Sequence, residues 1–411
     1  MLSLRANFSW TIAGNVGYAV TQWGCIVVLA KLLSPTMVGQ YALALAVSAP
    51  VLMFTNLKLR SAIATDAAGD YAFSDYLGLR IVMTAIAMAV VVGIALLSGY
   101  DATTVTIILI VGLAKSVDAI SDLYYGLYQQ IEQMDVITIS QLLNGALTLA
   151  AMGGLVYATR SLVAGAIGSL VGSVVALAGI VVPANRLRHP SVQHTRPRFD
   201  ARVMRRLTWL TLPLGISTAL GSLRTNVPRY AIEHYLGTYH LGLYAALAYF
   251  MVAGGIVVNA LGQSATPRLA KYHRDGNAAG FNTLLWRLLG MGTLLGLSGV
   301  AAVAVAGPWL LRLFYNATYA RESDALLWLM VATAVTYAYI FLGTAVSAMR
   351  LFKVQVPIGV VALSVLATTV VPLVKLYGLT GAAWSLIAAS VVEGGLYVVL
   401  ISSRVRQAVI A

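Results

Sequence analysis

A single cysteine, Cys25, stands in a chain of 411 residues. That excludes an intrachain disulfide framework and a cysteine-ligated metal. Charge is also scarce: Asp, Glu, Lys and Arg together make up 10% of the chain, where a soluble chain carries about 25%. Two or three soluble domains could not be wetted on so few charges. Acid is scarcer still, 14 residues against 27 lysines and arginines. What fills the chain is apolar: 59% hydrophobic residues and a mean hydropathy of +0.83. The apolar runs are continuous and roughly 20 residues long, enough for a helix to cross ~30 Å of hydrocarbon. An outer-membrane barrel would alternate polar and apolar residues instead. The pattern is that of an all-α polytopic membrane protein. Its net charge of +13 reflects basic loops on one side of a membrane, not a nucleic-acid partner.

Apolar runs between polar breaks predict about twelve transmembrane helices, near 8–30, 40–60, 77–98, 104–128, 136–156, 162–183, 210–232, 242–264, 284–307, 326–348, 355–375 and 382–402. The first is read as a span and not a cleaved signal peptide. It is too long for an h-region and carries Asn15, Gln22 and Trp23, with only Arg5 in front. With the N-terminus inside, nineteen of the 27 basic residues face the cytoplasm, Lys58, Arg60, Arg80 and Arg268 among them. Both termini are therefore expected to be cytoplasmic. The longest hydrophilic stretch, 184–206, holds seven arginines with His189 and His194. It divides the chain into an N-lobe (1–184, helices 1–6), a basic cytoplasmic linker (185–206) and a C-lobe (207–411, helices 7–12). The linker reads either as a solvated connection that fixes topology or as a docking patch for anionic lipid headgroups.

The halves repeat. An offset of 203 residues places Leu33, Gly39, Tyr41, Ala42, Asn56, Ser61 and Ala62 on Leu236, Gly242, Tyr244, Ala245, Asn259, Ser264 and Ala265. An offset of 216 places Gly165, Ala166, Ser169 and Leu170 on Gly381, Ala382, Ser385 and Leu386. An offset of six helices preserves orientation, so the repeats are parallel and two pseudo-symmetric six-helix lobes are expected. Such a pair suits alternating access better than integral-membrane catalysis.

Ionisable groups within spans are costly and mark cavities or partners. The fourth span carries Lys115, Asp118 and Asp122 on one face, continued by Tyr125 and Gln129. That face reads as a proton or sodium site on a transport path. It reads equally as a Lys115–Asp118 pair, with Asp122 hydrogen-bonded to a neighbouring helix. Glu393, midway along the last span, is either ion-coupling or a protonated, hydrogen-bonded carboxyl. Arg224 and Arg229 fall at membrane depth in the seventh span and cannot discharge. They are candidates for an anion-binding cavity, though Glu233 could simply pair with Arg229. Asn56 at the end of the second helix, with Asn259 and Gln263 at the end of its repeat, could bind sugar or phosphate or bridge helices within a bundle. Lys58 and Arg60 read as anchors that snorkel to headgroups or as a mouth that attracts phosphates. Pro50, Pro213 and Pro228 mark bending points.

Catalytic signatures are missing. There is no Walker A sequence, and the five histidines have no metal-ligand spacing. Gly290, Gly292 and Gly296, like Gly168 and Gly172, lie in apolar runs and read as helix-packing positions. No cofactor is implied and an enzyme is not expected.

The stretch Asn7-Phe-Ser-Trp10, with Gln22-Trp23 and Ala30-Lys-Leu-Leu-Ser-Pro35-Thr-Met-Val-Gly39-Gln-Tyr41-Ala42, resembles the polysaccharide-transporter, or O-antigen flippase, branch of the multidrug/oligosaccharidyl-lipid/polysaccharide (MOP) exporter superfamily. Asn56-Leu-Lys58-Leu-Arg60, Ala64-Thr-Asp66 and Asp75-Tyr-Leu-Gly-Leu-Arg80 extend the likeness, which is clearest over 5–135. The resemblance implies a V of two six-helix lobes around a central cavity in a bacterial inner membrane. It also implies flipping of undecaprenyl-diphosphate-linked oligosaccharide toward the periplasm, with a polysaccharide polymerase and export machinery downstream and membrane lipids around it. The rival within the superfamily is a drug exporter, for which an apolar or acidic cavity would be expected. A glycan polymerase or ligase would need a larger extracytoplasmic loop than 312–325, and an assembly scaffold would tolerate loss of Arg224.

Overall fold

The computed structural model describes residues 4–66, 69–183, 196–349 and 351–410. Arg186, Arg188, His189, His194 and Arg350 lie outside the described residues. Every regular element among those described is helical. In hydrocarbon each backbone amide and carbonyl must be bonded within its own segment, and the helix does that.

The chain runs through α1 (Leu4–Leu32), α2 (Pro35–Thr55), α3 (Leu59–Thr65), α4 (Phe73–Leu97), α5 (Ala102–Gln130), α6 (Met134–Thr159) and α7 (Leu162–Ala176), the last prolonged by a π-turn at Leu177–Val181. Then follow α8 (Ala201–Leu236), α9 (Thr238–Arg274), α10 (Ala278–Phe314), the short α11 (Ala317–Ala320), α12 (Ser323–Ala348) and α13 (Phe352–Ile410). Helix starts carry their own punctuation. Ser34 accepts from the Met37 amide with Pro35 at the first position, Asp101 from Thr104, Ser161 from Ala164 and Asn277 from Gly280.

Ten of these segments are long and apolar enough to span a membrane. The last of the ten merges two helices across Gly378, whose φ of 59° breaks the rod. The arginine-rich α8 is too polar to count among them. With α8 included and α13 taken as two, the rods correspond to the twelve apolar runs of the sequence. Pro50 lies inside α2, and Pro213 and Pro228 inside α8, without ending either helix.

The chain forms two compact units, Met1–Asn226 and Val227–Ala411. In the first, α1 and α6 approach closely because glycine leaves room on both sides. A Cβ on Gly17 would overlap the Leu142 side chain, and one on Gly145 would overlap Thr21. Thr138 Oγ1 donates to the Trp10 carbonyl at 2.6 Å across the same contact. Gly168 and Gly172 serve α7 likewise, facing the backbone of Ala151 and Thr148, as the sequence suggested. In the second unit Gly292 and Gly296 meet Tyr337 and Ala334 of α12, whereas Gly290 faces open space and takes no part in packing. Tyr337 and Tyr315 donate to the α9 carbonyls of Met251 and Ala246 at 2.8 and 2.9 Å.

The division between the two units falls inside α8, at Asn226–Val227. Gly215 lets α8 approach the backbone of Phe54 and Leu57, and Thr218 Oγ1 donates to the Met53 carbonyl at 3.0 Å. The described end of the linker also docks on the first unit: the Arg198 amide donates to the Ser74 carbonyl at 2.9 Å, against Gly78.

Candidate functional site

A polar interior of the first unit is built on a broken helix. α2 ends at Thr55, and Leu57 and Lys58 take left-handed φ values of 49° and 52° before α3 resumes. Two successive non-glycine residues in that region cost roughly 1–2 kcal/mol each, and broken transmembrane helices of this kind line cavities. The local hydrogen bonds are remade: Leu57 N–H to Phe54 O at 3.1 Å and Leu59 N–H to Asn56 O at 3.0 Å. The break places the Asn56 side chain on a pocket and sends Arg60 across to α5.

Arg60 Nη1 pairs with Asp122 Oδ1 at 3.0 Å, and its Nε donates to Gln129 Oε1 at 3.0 Å. The guanidinium lies 5.6 Å from the centre of the Tyr125 ring. Gly126 makes the approach possible, since a Cβ there would stand 3.1 Å from the Arg60 carbonyl oxygen. Asp122 has no basic neighbour in sequence; its cation comes from a helix 62 positions away. Arg60 is therefore held by α5 through Asp122 and Gln129.

Four residues before Asp122, Asp118 Oδ2 lies 2.9 Å from the Lys115 ammonium. Asn144 Nδ2 donates to Asp118 Oδ1 at 3.3 Å and is itself oriented by Thr148 Oγ1, 3.2 Å from its Oδ1. Lys115, Asp118, Asp122, Asn56, Tyr125 and Asn144, together with Tyr18 and Gln22 of α1 and Gln141 of α6, line a cavity of about 370 Å³.

Behind the cavity stands Arg80 of α4, fully buried, donating through Nη1 to Asn56 Oδ1. The sequence counts Arg80 among the loop cations that set topology; the structure buries it, because α4 begins at Phe73 and Arg80 lies two turns inside. Its Nε and Nη2 make no hydrogen bond among the described residues, and Asp122 is near enough to act on it electrostatically. A guanidinium only donates, so Asn56 must turn its carbonyl oxygen to Arg80 and keep its NH2 for the cavity.

The structure thus gathers Asn56, Arg60, Lys115, Asp118 and Asp122 from the sequence-predicted set. Lys58 is exposed at the helix break. Arg224 is half-buried on α8 in the first unit, and Arg229 half-buried in the second. Asn259 is exposed and donates to the Gly255 carbonyl of its own helix at 2.7 Å, and Gln263 is exposed. Glu393 is 7% exposed in the second unit. Sequence reasoning missed Arg80, Asn144 and Gln141 as partners of this site; a polar residue on an otherwise apolar run was the available signal.

The helical architecture has the fold of solved MOP-superfamily transporters. It superposes on the inward-facing conformation of a multidrug-resistance MATE family transporter with a TM-score of 0.69, covering 99% of this chain and 96% of that one at 12% identity. A MOP-superfamily transporter from Pyrococcus furiosus, described as having a binding pocket of reversed polarity, matches with a TM-score of 0.64 and 13% identity over 98% of this chain and 95% of that one. At these identities the likeness concerns the fold.

The family follows from sequence. A model described as polysaccharide biosynthesis protein matches residues 4–273, and the chain belongs to that family. It is 28% identical over 380 residues to the capsular polysaccharide biosynthesis protein CapF of Staphylococcus aureus, covering 92% of this chain and 94% of that one. The protein is therefore a multi-pass membrane protein of polysaccharide biosynthesis on a MOP transporter fold, as the N-terminal resemblance implied.

Proposed function

We propose that the protein flips undecaprenyl-diphosphate-linked oligosaccharide from the cytoplasmic to the periplasmic leaflet of a bacterial inner membrane, with both termini cytoplasmic. The carrying observation is the conjunction of a polysaccharide biosynthesis family with a transporter fold. Translocation is the step of such a pathway that needs a membrane-spanning path. The lipid tail stays in hydrocarbon, and the polar cargo needs protein groups to replace water. Arg224 and Arg229 are assigned to the diphosphate, because a guanidinium keeps its charge in the membrane and offers paired donors to phosphate oxygens. Glu393, buried within a span, is assigned to proton or sodium coupling.

The test is a strain lacking the gene, complemented with wild type or Arg224→Ala at matched membrane levels. Wild type should restore surface polysaccharide and clear accumulated lipid-linked saccharide. Arg224→Ala should lower the export rate about 10- to 100-fold, the worth of a charged hydrogen bond of about 1.5–3 kcal/mol. Equal restoration would remove Arg224 from the anion site, and failure of wild type to affect surface glycan would refute the substrate class.

A further inference from the structure

We infer that the pocket of the first unit is a subsite for the uncharged, hydroxyl-rich part of the saccharide, distinct from the arginines assigned to the diphosphate. This rests on the flippase reading given above. The first argument is charge balance. Both carboxylates on the wall are already closed by short ion pairs, Asp118 by Lys115 at 2.9 Å and Asp122 by Arg60 at 3.0 Å. A tethered ammonium occupies the place an inorganic cation would take on Asp118. A bare phosphate would meet two carboxylates on the same wall. Arg80, a further cation beside the pocket, is fully buried behind Asn56 and is not among the residues that line the cavity. Its charge reaches the pocket as an oriented amide.

The second argument is the donor and acceptor set. Asn56 is locked by Arg80 with its NH2 left for the cavity. Tyr125 lines the wall, and its buried hydroxyl has no hydrogen-bond partner among the described residues. Gln22 and Gln141 add two amides, each able to donate and accept. Amides, a tyrosine hydroxyl and tyrosine rings around about 370 Å³ suit a sugar ring or two. Sugar hydroxyls both donate and accept, so they can use the Asn56 amide that Arg80 already orients and the Asn144 amide held by Asp118, with little reorganisation on binding.

The experiment uses purified full-length protein carrying Cys25→Ser and Gln141→Cys, so that one thiol reports on the pocket. Four probes are compared in protecting that thiol from maleimide. They are the lipid-linked saccharide accumulated in the deletion strain, the free saccharide released from it by mild acid, inorganic diphosphate, and sodium chloride. The free saccharide and its lipid-linked parent should protect; diphosphate and sodium should not. Gln22→Ala and Tyr125→Phe should each weaken saccharide binding about 3- to 10-fold, the worth of one hydrogen bond, with diphosphate binding unchanged. Asn56→Leu should do the same where it folds, and the other two variants keep the test independent of that.

Protection by diphosphate or by sodium alone would overturn the assignment in favour of an anion or cation site. Saccharide that binds without protecting the thiol would place its site elsewhere and leave the flippase reading intact. If the wild-type protein binds neither lipid-linked nor free saccharide by any measure, the flippase reading and the subsite fall together.

Discussion

Lys115→Met tests the interior of the first unit most sharply. The variant keeps length and helix propensity but strands Asp118, which then retains the Asn144 amide at 3.3 Å and the Ser173 hydroxyl but no cation. Removing one partner of a fully buried ion pair costs about 3–5 kcal/mol. Here the two side chains are 26% and 19% exposed, so water reaches the site and the expected cost falls to about 2–3 kcal/mol. Asp118→Leu should cost a similar amount by stranding the ammonium. The double variant should recover most of the loss, because paired apolar groups of similar volume are close to neutral in such places. The assay is reversible unfolding in mixed micelles followed by tryptophan fluorescence, read as a double-mutant cycle. A coupling energy of about 2 kcal/mol supports a fixed, desolvated pair. Single variants that cost no more than about 0.5 kcal/mol, with additive effects in the double, would show the pair to be solvated, and the charge-balance reasoning for the pocket would fail with it.

Gly145→Val drives a side chain into Thr21 and should destabilise the α1–α6 contact by about 1–3 kcal/mol, seen as lower membrane yield and earlier unfolding in the same assay. Gly78→Leu overlaps the Arg198 carbonyl and should free the end of the linker, measured as faster tryptic cleavage around Arg196 and Arg198; unchanged cleavage would mean the linker is held by other contacts. Asp101 caps α5 through the Thr104 amide at 3.1 Å and hydroxyl at 2.6 Å, and those bonds hold its carboxyl below the ordinary value of 3.8. A depressed pKa means stability that is complete above pH 3.8 and is lost as pH falls through the folded value. Asp101→Ala should therefore cost about 1 kcal/mol near neutrality, with the gap to wild type closing only in acid below that pH.

How much was legible in the sequence differs between fold and site for a physical reason. Composition and the length of apolar runs determined the helical, membrane-spanning class. In hydrocarbon a span must satisfy its own backbone, and that requirement leaves a pattern readable one helix at a time. Glycines at Gly168, Gly172, Gly292 and Gly296 were readable as packing positions because a missing Cβ has one main use between helices. The Lys115–Asp118 pair was one of two readings, since three residues apart on a helix is a local relation.

The remainder is long-range. That Arg60 closes Asp122 across 62 positions depends on two left-handed residues at Leu57 and Lys58, a break that no glycine or proline announces at those positions. Arg80 looks like any loop cation until the start of α4 fixes its depth, and only then does it become the group that orients Asn56. The first part of α8 belongs to the first unit, where Gly215 and Thr218 meet the end of α2, a contact absent from local periodicity. The sequence by itself determined what each span is made of and that it crosses a membrane, since the solvent selects residues locally. Only the tertiary structure decided which charges neutralise one another, since an ion pair is set by distance in space and not along the chain.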